Sequence, residues 1–304
     1  MRKTRTAILL ILLMTTEIPL AQSKTIRKPW LYSAREEIQE LIKDSNAESV
    51  GIALHNLKTG EELLINEHVS FHAASTMKVP VMMELFSQAT AKQISLDSKL
   101  VVKNEFKSIV DGSPFTLDEK SDGDPDAYKL IGQEVSYRDL IQRMITRSSN
   151  LATNILIEKV GADNVMKLMK QLKANDIKVL RGVEDGKAFE KGLNNTTTAY
   201  DLMILLRTIA TKKVASPAAC DEMIKILLAQ EFNTGIPAGL PEGTKVAHKT
   251  GSITKIRHDA AIVYPANKSP YVLVVLIKGI EDEKKSDKLT ADISRVVYEA
   301  MGGK

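Results

Sequence analysis

The order of apolar and polar positions puts strands at both ends of the chain and helices between them. From Trp30 to Lys43, Leu31, Ile38, Leu41 and Ile42 recur at helical spacing among charged residues, which predicts an amphipathic helix. Val50-Gly51-Ile52-Ala53-Leu54 reads as a strand, Lys58-Thr59-Gly60 as a turn, and Glu62-Leu63-Leu64-Ile65 as the returning strand of a β-hairpin. From Ser75 to about Lys212 the patterns are mostly helical. Ser136-Tyr137-Arg138-Asp139 and Thr198-Ala199-Tyr200-Asp201 are capping boxes, each ahead of an apolar-periodic run. The first predicts a helix to about Arg147. Helices over 150–160, stopped at Gly161, and over 163–173 follow it. Ser216-Pro217 opens another, because proline at the first helical position lacks only an N–H that has no partner there.

The period then shortens to that of strands. Residues 245–249, 260–264 and 271–277 read as strands, with Asn267-Lys268-Ser269-Pro270 turning between the last two. Residues 287–301 close the chain as a helix. This order predicts an α+β fold: a five-stranded antiparallel sheet formed from both chain ends, flanked by helices, with an inserted all-α lobe. The expected division is an α/β lobe of residues 24–70 plus 213–304 and a helical lobe of 71–212, together one domain over 24–304. Gly112 to Gly132, with Pro114, Gly123 and Pro125, is loop-rich and either borders a functional site or is a mobile surface loop.

Residues 1–23 depart from all of this. Arg2, Lys3 and Arg5 precede the apolar run Ala7–Met14, and Ala21-Gln22-Ser23 supplies small residues for cleavage near Ser23. The run is too short to span a bilayer stably. The expectation is a secretory signal and a secreted or periplasmic protein with no stable membrane span after cleavage; an uncleaved anchor is the alternative.

Composition narrows the function classes. In 304 residues, 43% apolar and 26% charged is ordinary for a soluble globular protein. The net charge is +4, and loss of Arg2, Lys3, Arg5 and Glu17 leaves about +2, a balance that argues against a nucleic-acid or acidic-polymer partner. Cys220 is the only cysteine, so no intrachain disulfide forms; its helical setting reads as a buried structural thiol. The five histidines show no metal-ligand spacing, and no metal or other cofactor is expected.

Candidate chemistry starts at Ser75-Thr76-Met77-Lys78. A hydroxyl and an amine three positions apart share one helix face, and the lysine can take the proton from the serine and so activate it as a nucleophile. The flanks are apolar, which predicts Ser75 in the first turn of a largely buried helix, with the helix N-terminal field at the hydroxyl. The pattern alone is weak, since it recurs at Ser252-Ile253-Thr254-Lys255. Two further elements follow in order. Ser148-Ser149-Asn150 is the one Ser-x-Asn of the chain, at a helix junction, and Lys249-Thr250-Gly251 with Ser252 lies on the first C-terminal strand. Helix capping is the alternative reading of Ser148 and Asn150.

Ser-x-x-Lys, Ser-x-Asn and Lys-Thr-Gly in this order resemble the class A β-lactamases of the serine β-lactamase and penicillin-binding-protein superfamily. The resemblance runs from the N-terminal helix and hairpin to the final helix and includes Leu151-Ala152-Thr153-Asn154-Ile155-Leu156. It implies attack of Ser75 on a β-lactam or peptide carbonyl to give an acyl-enzyme, with Lys78 as base. Lys78 acts only when neutral, and Lys249 nearby would lower its pKa. Ser148 relays a proton to the leaving nitrogen, and Asn150 holds the substrate amide and the Lys78 side chain. The backbone N–H groups of Ser75 and Ser252 form the oxyanion hole. Lys249, Thr250 and Ser252 bind the substrate carboxylate, and Gly251 lets the ligand approach the strand. Arg257 either helps hold that carboxylate or makes a surface ion pair.

Deacylation is where the sequence departs from the family, whose loop carries a Trp-Glu-Pro-x-Leu-Asn-like signature. Here Leu180-Arg181-Gly182-Val183-Glu184-Asp185-Gly186 stands instead, followed by Gly192-Leu193-Asn194-Asn195-Thr196-Thr197-Thr198. Glu184 falls where the water-activating base belongs, but its distance from the asparagines is not the family's. It is either that base or a solvated loop carboxylate. Ser149 stands where the family usually has aspartate, which removes a hydrogen-bonding anchor. The expected function is β-lactam hydrolysis by a monomer acting on a small-molecule substrate. The alternatives are a penicillin-binding-type D,D-peptidase, or a β-lactam-acylated sensor without turnover.

Overall fold

The structure is a computed structural model and describes residues 29–266 and 268–302. The expected signal over 1–23 lies outside the described residues, as does Asn267 of the expected turn. Helix α1 (Pro29–Ser45) leads into β1 (Ser49–Asn56) and β2 (Glu62–Ile65). The helical lobe holds α2 (Lys78–Thr90), α3 (Tyr137–Thr146), α4 (Asn150–Val160), α5 (Ala162–Gln171), the short α6 (Gly186–Glu190), and α7 (Ala199–Ala210). Helix α8 (Pro217–Leu228) precedes β3 (Lys245–Ile253), β4 (Ile256–Tyr264) and β5 (Tyr271–Lys278), and α9 (Glu283–Ala300) ends the described chain. The five strands pair antiparallel in the order β2-β1-β5-β4-β3. The α+β fold and the sheet drawn from both ends are thus as expected.

Strand alternation explains why this sheet has two cores. In β5, Val272, Val274 and Leu276 face the helical lobe, while Leu273, Val275 and Ile277 face α1 and α9; all six are fully buried. An uninterrupted apolar run is what a central strand covered on both faces requires. Each such side chain contributes about 1.5–3 kcal/mol through burial. Ala53, Ala247 and Ala260 put small side chains on the lobe-facing side.

The capping boxes behave as expected. The Ser136 hydroxyl accepts the Asp139 N–H, and the Thr198 hydroxyl accepts the Asp201 N–H. Cys220 is buried in α8. The expectation for Ser75 needs correction: it sits in a 3₁₀ turn, Ala74–Met77, and the α-helix proper begins at Lys78. With three residues per turn, side chains at i and i+3 eclipse, so Ser75 and Lys78 stack more directly than on an α-helix. Among the described residues no helix is long and apolar enough to cross a membrane.

Candidate active site

The 3₁₀ turn carrying Ser75 is pressed against the edge strand β3. A Cβ at Gly251 would stand 3.1 Å from the backbone nitrogens of both Ser75 and Thr76. Gly251 thus meets a close approach of one chain segment to another, and it also borders the cavity at Ser75. Thr76 anchors the turn from inside, its hydroxyl donating to the Ala73 carbonyl at 2.6 Å.

Lys78 is the centre of the site and is fully buried. Its ammonium donates to the Ser148 carbonyl at 2.5 Å, the Ser148 hydroxyl at 3.1 Å and Asn150 Oδ1 at 2.9 Å. Burial pulls its pKa down to about 7, against the raising pull of the Asp122 and Glu184 carboxylates. Lys249, also fully buried, donates to the same Ser148 hydroxyl at 3.1 Å and to the Thr250 carbonyl at 2.8 Å. Burial and then the charge of Lys78 hold it well below the usual lysine range, with Asp259 opposing. Two ammonium groups on one hydroxyl are costly in a buried setting, and the Lys78 charge adds to burial in pushing Lys249 toward the neutral form.

Glu184 lies across the cleft. Its Oε1 accepts from Asn150 Nδ2 at 2.6 Å. The residue is exposed overall and borders the cleft beside Ser75; partial desolvation there raises its pKa, against the lowering effect of the Asn150 bond. Glu184 has φ 61°, in the left-handed region, where such a residue persists only if its surroundings over-determine it. They do so on both sides. Asn154, one helical turn after Asn150 on α4, accepts the Val183 N–H at 2.7 Å and donates to the Val183 carbonyl at 3.0 Å. The buried Asp185 carboxylate accepts from the Ser108 hydroxyl, the Ile109 N–H and the Ala188 N–H. Asn195 and Arg181 close the neck of the loop through bonds between residues 180–182 and 193–195. Ala74 and Ser148, at φ 45° and 59°, share this left-handed backbone next to the site.

Two cavities meet at Ser75. One, of about 350 Å³, is lined by Ser148, Thr250, Gly251, Ser252 and Arg257; the other, of about 460 Å³, by Glu184, Phe189, Ile253 and Thr254; Asn150 borders both. The structure thus brings Ser75, Lys78, Ser148, Asn150, Glu184, Lys249, Thr250 and Ser252 to one place. Arg257 also borders the first cavity, but its guanidinium is engaged with α9, bidentate to Asp287 at 2.9 and 3.2 Å and with Glu283 at 3.1 Å. Of its two sequence readings, the ion pair is the one observed. His258 is buried, donates from Nε2 to the His72 carbonyl at 3.0 Å while Nδ1 accepts the Ile277 N–H, and is kept neutral by burial, with a pKa of about 4. It braces the strand before Ser75 and borders the first cavity. His248 is likewise buried, between Asp259 at 2.9 Å and Asn233 at 3.3 Å. Among the described residues no cluster could hold a metal ion.

Residues 33–301 match the model of the β-lactamase enzyme family. The chain belongs to that family. A β-lactamase of Bacteroides uniformis is 28% identical over 289 residues, covering 91% of this chain and 94% of its own. The crystal structure of a β-lactamase from Sphaerobacter thermophilus superposes with a TM-score of 0.77 at 24% identity, over 89% of this chain and 98% of that one. The structure of PBP-A superposes with a TM-score of 0.75 at 25% identity, over 89% of this chain and 96% of that one. In this β-lactamase-family chain, sequence reasoning missed Asp122, Asn154 and Asp185, whose side chains bond the main chain around Asn150 and Glu184. For Asn154 a signal existed: four residues beyond Asn150, it must share that residue's helix face.

Proposed function

We propose that this protein hydrolyses the amide of a β-lactam ring through an acyl-enzyme on Ser75. The observation that carries the reading is the Lys78 ammonium, fully buried, held at a pKa of about 7 and bonded to Ser148 and Asn150 one 3₁₀ turn from Ser75. Neutral Lys78 takes the Ser75 proton as Oγ attacks the lactam carbonyl carbon. The C–N bond then breaks, Ser148, hydrogen-bonded to both lysines, delivers its proton to the departing nitrogen, and the proton that Lys78 took from Ser75 replaces it. The oxyanion faces the backbone N–H groups of Ser75 and Ser252, donors of a kind worth about 2.7–4 kcal/mol each. Lys249, Thr250 and Ser252 hold the substrate carboxylate. Glu184 takes a proton from water as it attacks the ester carbonyl, the bond from that carbon to Ser75 Oγ breaks, and the proton passes to Oγ, which restores Ser75 and the Glu184 carboxylate. Asn150 ties the two halves together, since it bonds Lys78 with Oδ1 and Glu184 with Nδ2.

The catalytic domain on this reading is residues 24–304, behind a secretory segment of 1–23. The protein acts outside the cytoplasm as a monomer and protects its producer from β-lactams. Likeness to PBP-A, a variant of which is described as an acyl-enzyme complex with penicillin G, supports one competing reading, a D,D-peptidase with the same first step. Mass spectrometry with a penicillin over time separates them. The wild type is expected to turn substrate over through a transient adduct on Ser75, and Glu184→Ala to accumulate that adduct stoichiometrically. One stoichiometric burst without turnover in the wild type sinks hydrolysis, and release of terminal D-alanine from cell-wall peptides favours the peptidase.

A further inference from the structure

The loop over 112–132 is not a loose surface segment where it meets the site. Asp122, 8% exposed, receives the Asn150 N–H on both carboxylate oxygens at 3.0 Å and the Leu151 N–H at 2.9 Å. These are first-turn N–H groups of α4, which have no partner within the helix. The Tyr128 hydroxyl donates to the same carboxylate at 3.1 Å. The neighbouring residues grip the other side of the turn. A Cβ at Gly123 would stand 2.3 Å from the Arg147 carbonyl oxygen, so the loop lies directly on the chain entering Ser148. Asp124, 1% exposed, pairs with Arg143 at 2.6 Å and Arg147 at 3.4 Å at the end of α3. Between these holds lies Ser148, whose left-handed backbone needs such support.

We propose that Asp122 is the positioning residue that fixes the Ser148–Asn150 turn against Lys78. All three acceptors of the Lys78 ammonium belong to that turn: the Ser148 carbonyl, the Ser148 hydroxyl and Asn150 Oδ1. A shift of the turn therefore misplaces the base, the proton relay and the Glu184 partner together. Asp122 touches no reacting atom and acts through Asn150. Its charge also reaches the site. The charged groups that face Lys78 are Lys249 from β3, Glu184 from the loop before α6, and Asp122; Tyr128 donates to Asp122, and the Asp118 charge acts on Glu184 and Tyr128. The Asp122 charge favours the protonated form of both Lys78 and Glu184.

The proposal rests on the reading of Lys78 as the base for Ser75, and the test separates the two. Asp122→Asn keeps the shape and removes the charge. Acylation of Ser75, followed by stopped-flow and mass spectrometry with a penicillin on the folded fraction, is expected to slow by about 10²-fold through misplacement of the turn. Its acid limb is expected to move to lower pH, because Lys78 loses a neighbouring negative charge and sheds its proton more easily. A role confined to folding lowers the thermal midpoint and leaves the rate per folded molecule and the limb where they were; that result overturns the proposal. Where Asp122→Asn yields too little folded protein, Asp122→Glu keeps the charge and moves the carboxylate by one methylene. Slower acylation is then expected with the limb unmoved, and wild-type acylation by this variant overturns the proposal. Undiminished acylation in Lys78→Ala instead removes the underlying reading of the base.

Discussion

The two halves of the site, to which acylation and deacylation are assigned in the proposed function, are built differently. Ser75, Lys78, Ser148 and Lys249 stand on a 3₁₀ turn, a helix start, a helix junction and a strand, and both lysines are fully buried. The positions of Ser75, Lys78 and Lys249 follow from the packing of regular elements, and the left-handed Ser148 junction is held in addition by Asp122. Glu184 stands on a loop with left-handed backbone, and what holds it is a set of side-chain bonds to the main chain from Asn154, Asp185 and Asn195. The first half rests chiefly on the core, and the second on polar latches alone. Loss of a latch leaves the core intact, so the halves separate under mutation.

The largest expected effect is on the first half. Lys78→Ala removes the base, and acylation is expected to fall by about 10⁴–10⁶-fold, the scale seen when a hydrolase nucleophile or its base is lost. Quench-flow mass spectrometry reads this directly; adduct formation at the wild-type rate contradicts the assignment. Next comes the latch. Asp185→Asn leaves the Ser75 turn untouched but disturbs the bonds to Ser108, Ile109 and Ala188 beside Glu184. Deacylation is expected to slow by about 10–10²-fold, within the cost of a displacement near 1 Å, with acylation unchanged. Single-turnover kinetics that slow both steps equally erase the distinction drawn between the halves.

The smallest effect is in the pH dependence. Lys78 must be neutral to accept the Ser75 proton, so acylation is expected to rise with pH through about 7. Glu184 must be ionised to activate water, and its pKa is raised by burial, so deacylation is expected to fall as pH drops through a value above the usual glutamate range. Both limbs are on the acid side, but they belong to different steps. Separate profiles of adduct formation and adduct loss that share one midpoint would contradict two independent titrating groups.

The legibility of the site follows the same division. Ser-x-x-Lys, Ser-x-Asn and Lys-Thr-Gly were readable because helices and strands fix side-chain direction from spacing alone. Ambiguous matches were resolved by the fold: Ser252 borders both cavities, while Lys255 pairs with Glu281 on the surface. Arg257 was not readable, because its two sequence readings differ only in whether α9 presents Asp287 to it. Asp122 was not readable either. A buried carboxylate that accepts the N–H groups of Asn150 and Leu151 lies 28 and 29 positions away from them in sequence, inside a segment whose prolines and glycines signal only a loop.

By itself the sequence determined the α+β class, the sheet drawn from both ends, the capped helices and the lysine–serine spacing, because each rests on local periodicity or on short spacing within one element. The tertiary structure decided the rest. It put Lys249 and Lys78 on one hydroxyl, aimed Glu184 at Asn150, turned Gly251 into a point of contact between chain segments, and set Asp122 beneath α4. Those outcomes depend on burial and on contacts between distant segments, which shift proton affinities and fix strained backbone without leaving a pattern along the chain.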